Sequence, residues 1–212
     1  IGVIENMAAG YIGFIGQEAV HASAHEQVLD DYLRRHGIDP GPFLDQLEWV
    51  VGLYDQRVSR ATRQNRRKAL ASGTHMLCAA EHFTGVLGHW ALNNSWDEMG
   101  VDPTLSDFYR WHGAEEVEHR HVSYNVAKYF GMDLFAQAVA GALVTFVVVA
   151  MVLRGTRFLV HEDPALRNIG YLRLLWKLRS SGKRGAIPTG RLIFGSALRL
   201  LNRDYDPVDE GS

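Results

Sequence analysis

Phe14-Ile-Gly-Gln-Glu-Ala-Val-His-Ala-Ser-Ala-His25 is the stretch that decides how the rest of the chain is interpreted. Its Glu18, His21 and His25 are spaced three and four residues apart. At about 100° per residue, the three side chains lie on one face of a helix. A carboxylate and two imidazoles on one face suit a divalent metal, which binds anionic oxygen and neutral nitrogen donors. The stretch therefore predicts a helix that carries metal ligands.

A second stretch, WHGAEEVEH at residues 111–119, contains the same residue types in the mirrored order. His112, Glu116 and His119 are four and three residues apart and share a helix face, with Glu115 beside them. Glu-x-x-His on each of two helices is half of the ligand set of a dinuclear carboxylate bundle. Two such stretches predict that their helices face each other across a metal site.

In a bundle of this kind, two further helices each supply one inward glutamate. Glu81 is a candidate because Gly85 and Gly88 follow it on the same helix face and would leave room around its carboxylate. A single Glu-x-x-His also arises as a surface ion pair or a helix cap. Two copies, each with a third histidine in register, favour the metal site over this simpler explanation.

Three blocks resemble a family of predicted metal-dependent hydrolases with a ferritin-like helical core: FIGQEAVHASAH at 14–25, AAEHFTGVLGHW at 79–90 and WHGAEEVEHRHVSYNVAKYFG at 111–131. The resemblance runs from about residue 13 to the end of the chain. It implies metal ligation at matching positions, with Glu115 and Glu116 as alternatives for one of them: Glu18, His21, His25, Glu81, His112, Glu115 or Glu116, and His119. Among these, Glu18, Glu81 and Glu116 are the expected catalytic carboxylates.

The chain departs from the family at its start, where the ferritin-like pattern has a first helix with a lone glutamate. The numbered chain begins at Ile1 without a methionine, and its only earlier acid, Glu5, is thirteen residues before Glu18. On a continuous helix this places it about 20 Å away, too far to share a metal. We therefore expect that the numbered chain lacks its native N-terminus.

Periodic apolar positions predict an all-α chain with helices at 3–36, 43–60, 65–92 and 104–130, the last with Thr104 as its N-cap. We expect residues 1–133 to form a ferritin-like bundle and residues 134–212 to add an apolar helix and basic amphipathic helices. His82 follows Glu81 directly and is the expected hydrogen-bonding support for that carboxylate.

Residues 134–153, LFAQAVAGALVTFVVVAMVL, contain no charge over twenty residues. This length spans a bilayer core, but an internal bundle helix has the same composition. The basic amphipathic segments 171–179 and 191–201 that follow are typical of helices at a membrane interface, although they could also cover the bundle.

Composition limits the functional classes. The single cysteine, Cys78, excludes an intramolecular disulfide and a cysteine-rich zinc module. Net charge is −2, yet 11 of the 22 Lys and Arg residues lie in 154–203 beside only Glu162 and Asp163 as acids. This asymmetry predicts an anionic partner. Nucleic acid is disfavoured, because no binding motif is present and the pI is near 6.6.

The sequence leads us to expect a dinuclear metalloenzyme with two divalent ions, iron before manganese or zinc, that oxidises a small hydrophobic substrate with O2. The alternatives are a metal-dependent hydrolase and a non-catalytic metal-binding helical protein at a membrane. We expect a cytoplasmic protein that is peripheral on the inner membrane face, with a homodimer also open.

Overall fold

The structure, a computed structural model, describes residues 2–164, 166–207 and 210, and all regular elements in these ranges are helical. The predicted all-α class is therefore confirmed. The helices are α1 (Gly2–His25), α2 (Asp31–Arg35), α3 (Gly41–Ser59), α4 (Arg63–Leu92), α5 (Pro103–Tyr129), α6 (Leu134–Glu162), α7 (Tyr171–Lys183) and α8 (Gly190–Arg199). One π-helical turn, Glu26–Asp30, joins α1 to α2.

Helix boundaries follow the local capping chemistry. Gly131, with φ +84°, follows the end of α5 in the left-handed region that glycine tolerates. The N-cap of α5 is Asp102, whose carboxylate accepts the backbone N–H groups of Thr104 at 2.9 Å and Leu105 at 3.3 Å. The prediction of Thr104 as N-cap is thus wrong, because Pro103 already occupies the first helical position and the cap must precede it.

Helices α4 and α5 pack closely, and two glycines set their distance. A Cβ atom at Gly88 would lie 2.5 Å from the carbonyl oxygen of Gly113, and one at Gly113 would lie 2.8 Å from that of Gly88. The helix backbones therefore touch where neither residue has a side chain. Gly85 and Gly88 admit α5, whereas we expected them to leave space around Glu81.

Helix α6 and the chain after α8 pack on the other side of α4. They share one apolar cluster, formed by Ala79, Phe83, Ala140, Val144, Leu200 and Tyr205. The side chain of Gln137 donates to the carbonyl oxygen of Leu200 at 2.6 Å and fixes α6 against the end of α8. The predicted boundary at residue 133 and the ferritin-like arrangement stay predictions.

Helix α6 is the one helix in the described part of the chain that is long and apolar enough, by length and composition, to cross a membrane. It continues nine residues beyond the predicted end at Leu153. Only 22% of its most apolar window is buried. The expectation of an internal core helix therefore does not account for its outer face.

Candidate metal centre

Four of the predicted ligands meet between α1 and α5. Glu18 and His21 come from α1, and Glu116 and His119 come from α5; one ligand atom of each lies within 4.8 Å of the others. His21, Glu116 and His119 are buried, and Glu18 is partly exposed. The two mirrored triplets thus face each other, and the four residues are referred to below as the α1–α5 cluster.

Several atoms of this cluster approach closely without hydrogen bonding. His119 Nδ1 lies 2.8 Å from Glu18 Oε1, and His21 Nδ1 lies 3.6 Å from both Glu18 Oε1 and Glu116 Oε1. Buried atoms without a hydrogen-bond partner include Glu18 Oε1, Glu116 Oε2 and both ring nitrogens of His119. A buried polar atom without a partner costs about 1–3 kcal/mol. A cation bound by Glu18, Glu116 and one ring nitrogen of His119 would satisfy atoms of all three residues together, so the donor set fits a metal ion.

Glu81 lies at the edge of the cluster, with Oε2 3.9 Å from His119 Nδ1. Burial, followed by the charges of Glu116 and Glu18, raises the pKa of Glu81 to about 8. Burial also raises the pKa of Glu116. Among the described residues no Lys or Arg side chain forms an ion pair with these carboxylates. The site therefore concentrates buried acids without a cation from the chain.

Glu115 and Glu116, which the sequence could not separate, have different positions. Glu116 belongs to the cluster. Glu115 stands behind His21, with Oε2 3.0 Å from Nε2, the ring nitrogen that faces away from Glu18 and Glu116. This position suits a carboxylate that fixes the orientation of an imidazole.

His112 and His25 form a second layer next to the cluster. His112 Nε2 lies 3.4 Å from Glu116 Oε1, and its Nδ1 forms a hydrogen bond of 3.1 Å with His25 Nε2. Burial, then the neighbouring His21 and His25, lowers the pKa of His112 to about 4, and burial lowers that of His25. Both rings are therefore neutral at neutral pH. Besides this hydrogen bond, the ring of His25 meets that of His21 edge-on at 6.2 Å.

Other contacts around the cluster were not anticipated from the sequence. The ring of Phe14 meets that of His119 edge-on at 4.9 Å, and Trp111 meets His21 edge-on at 5.2 Å. The hydroxyl of Thr84 donates to Glu81 Oε2 at 3.5 Å. Phe14 and Thr84 could have been found from their spacing, since each is one helical turn from a predicted ligand.

His82 does not support Glu81, contrary to our expectation. Its Nε2 donates to the carbonyl oxygen of Ser196 at 3.0 Å, and its Nδ1 lies 2.7 Å from the hydroxyl of Tyr205. Adjacent helical residues point about 100° apart, so His82 faces α8 while Glu81 faces α5. His82 therefore holds α8 and Tyr205 against α4.

All eight predicted site residues thus lie in the α1–α5 cluster or next to it. That they bind a metal ion stays a prediction. In comparisons with known proteins, a family model described as predicted metal-dependent hydrolase matches residues 4–211. No curated protein and no solved structure matches the chain.

Proposed function

Because the chain belongs to the family of predicted metal-dependent hydrolases, we propose that it hydrolyses a small molecule at the α1–α5 cluster. The observation that carries this proposal is the set of buried carboxylate and imidazole atoms that approach one another without hydrogen bonding. Four residues would hold at least one divalent ion: Glu18, His21, Glu116 and His119. The oxidation that we expected from the sequence has no support from the family, which favours the hydrolytic alternative.

The donor set of two carboxylates and two imidazoles suits zinc, manganese or iron in the divalent state. When bound, such an ion supplies Lewis acidity and lowers the pKa of water. A second ion, as expected from the sequence, would have to use the residues at the cluster's edge. These are Glu81 and His112, which lie next to His119 and Glu116.

Two residues have roles that follow from their positions. Glu115, whose Oε2 lies 3.0 Å from His21 Nε2, is proposed to orient the ring so that Nδ1 faces the cluster. Glu81 is proposed as the group that takes a proton from the attacking water and returns it to the leaving group. Burial raises the pKa of its carboxyl to about 8, so it would have to lose its proton when the metal binds, and the resulting carboxylate could then perform both transfers.

The side of the cluster that faces solvent is at Glu18, whose side chain is 39% exposed, whereas its neighbours His21 and His119 are buried. We expect a substrate to approach from this side. Aromatic rings of Phe14 and Trp111 lie against these histidines. Phe14 is buried, but Trp111 is 36% exposed, so we propose a substrate that places an apolar group against the Trp111 ring and a polar scissile group near Glu18. This retains the small hydrophobic substrate expected from the sequence.

The test begins with metal analysis of protein purified without a metal-affinity tag. The purified protein is then assayed for hydrolysis of a panel of small chromogenic esters and phosphoesters after loading with zinc, manganese or iron. His119→Ala should lose both bound metal and turnover. His121→Ala, on the same helix but outside the cluster, is the matched control and should keep both.

Two results would contradict the proposal. Ferrous protein prepared without oxygen that develops a new optical spectrum in air, with no hydrolysis under any metal, would favour oxidation. Stoichiometric metal without turnover in either assay would favour the non-catalytic alternative.

A further inference from the structure

We propose that α6, α7 and α8 present a docking surface for a bilayer that contains anionic phospholipid, and that the protein lies on this bilayer without crossing it. The surface is defined by exposed apolar side chains on the three helices, together with the basic residues among them. The inference is independent of the reaction at the α1–α5 cluster.

Helix α6 contributes a continuous apolar stripe on its outer face. Phe135, Val139, Leu143 and Phe146 recur every three or four residues, so they share one side of the helix. Phe135 is 78% exposed and Phe146 is 73% exposed. The opposite side is buried against α4 and the end of α8, through Gln137, Ala140, Gly141 and Val144. An aromatic stripe of this exposure normally marks an interaction surface.

Helices α7 and α8 show the same division on a smaller scale. Leu174 and Ser196 are buried on their inner sides. On the outer sides, Leu172 is 82%, Trp176 is 67% and Leu198 is 68% exposed. Short helices with a leucine and aromatic face bordered by Lys and Arg are typical of helices that insert at the headgroup level of a membrane.

The positive charge of residues 164–203 indicates which partner this surface binds. Residues 164–203 contain nine Lys and Arg residues and no acid, and only one of the nine, Arg199, forms an ion pair that the structure describes, with Glu210. Two copies of such a surface would repel each other, which disfavours self-association through it. Nucleic acid would match the charge but would leave the apolar side chains in water. An anionic bilayer satisfies both features, since headgroups attract the cations and the acyl boundary accepts the apolar side chains.

The packing of α6 favours lying on the bilayer over crossing it. Its first half is fixed to the bundle by the Gln137 hydrogen bond to Leu200 and by the cluster that includes Ala140 and Val144. Farther along, Arg154 donates to the side chain of Gln46 on α3. A helix that is attached to the bundle at these points cannot be surrounded by lipid, but its outer stripe can still enter the interface.

The experiment measures flotation of the full chain with vesicles of phosphatidylcholine alone and with vesicles that also contain phosphatidylserine. Binding should require phosphatidylserine and weaken as salt is raised. Arg173→Glu with Lys177→Glu should reduce partitioning at least about 30-fold, from the contribution of each basic residue near a charged surface. Arg63→Glu with Arg67→Glu, on α4, changes the net charge equally and should have a smaller effect.

A second variant tests the apolar stripe: Phe135→Ser with Phe146→Ser should also lose binding, and both side chains are exposed, so the fold should persist by circular dichroism. Equal binding to both kinds of vesicle would overturn the electrostatic argument. Absence of flotation would overturn the proposal. This holds whether the chain is then found to be a dimer that the Phe135 and Phe146 changes dissociate, to bind nucleic acid, or to be a monomer without either partner.

Discussion

Replacing Gly88 by alanine tests whether the contact between α4 and α5 positions the metal ligands. The new Cβ would lie 2.5 Å from the carbonyl oxygen of Gly113 and 3.2 Å from Glu116 Cβ. Because the blocking atom belongs to the backbone, it cannot rotate away as a side chain could. The helices must therefore separate by about 0.9 Å to bring the Cβ and the carbonyl oxygen to ordinary van der Waals contact. Overpacking of this kind costs about 1–3 kcal/mol, while removing a helical glycine returns up to about 1 kcal/mol. We expect a net destabilisation of about 1–2 kcal/mol.

The same displacement moves Glu116 and His119 relative to Glu81 on α4, so metal affinity should fall at least about tenfold. The assays are urea unfolding without metal and a competitive metal titration. Gly52→Ala on α3 is the control, since its Cβ would meet nothing within 4 Å and the change should stabilise slightly. If Gly88→Ala matched this control in unfolding and in metal affinity, the glycine contact would not be what sets the geometry of the site.

Further predictions concern protons. Because the pKa of Glu81 is raised to about 8, this carboxyl is protonated at neutral pH, and metal binding should release a proton that Glu81→Gln no longer releases. Titration calorimetry in buffers of different ionisation enthalpy measures the number of protons released. Equal release by both proteins would contradict the assignment of this proton to Glu81. Burial lowers the pKa of His82 to about 4, so its stabilising contribution should be complete above about pH 6.5 and be lost as pH falls toward 4. Tyr205→Phe should cost about 1–3 kcal/mol in unfolding by leaving His82 Nδ1 unpaired, whereas exposed Tyr129→Phe should cost little.

The ligand triplets and most helices were predictable from the sequence because both depend on the helical period alone. Spacing of three and four fixes which side chains share a face, and it correctly predicted that Glu18 and His21 would meet Glu116 and His119. The same rule also placed Glu81 beside them. On each of these helices the ligand residues share one face, so only one orientation about the helix axis turns them all toward the neighbouring helices.

The glycines of α4 and the role of His82 could not be predicted in this way. A small-residue face can either leave a cavity or admit a neighbouring backbone, and only the packing of Gly88 against Gly113 decides between them. His82 is buried on the other side of α4 because Tyr205, 123 residues later, supplies its partner. Periodicity gives the helix face on which His82 lies, but a lone histidine has no matching motif elsewhere in the sequence that would identify its partner, whereas the two ligand triplets match each other.

The position of α1 leads to a last prediction, which concerns folding. Among residues 10–25 only Phe14 and His21 are buried, so little apolar surface holds this part of α1 to the bundle. Half of the α1–α5 cluster nevertheless comes from α1. A bound metal ion would therefore contribute much of the attachment of α1, since the free energy of ligation is available to hold the element that supplies the ligands.

Metal should consequently slow amide hydrogen exchange in residues 14–25 far more than in α4, whose interior is buried without metal. Hydrogen exchange of the full chain, measured with and without zinc, tests this, and His119→Ala is the matched control because it removes a ligand from α5 while leaving the sequence of α1 intact. Protection of α1 that is already complete without metal would refute the argument, since apolar packing would then suffice. Uniform protection of α1 and α4 on adding metal would refute it too, because the ion would then stabilise the whole bundle and not the attachment of one helix.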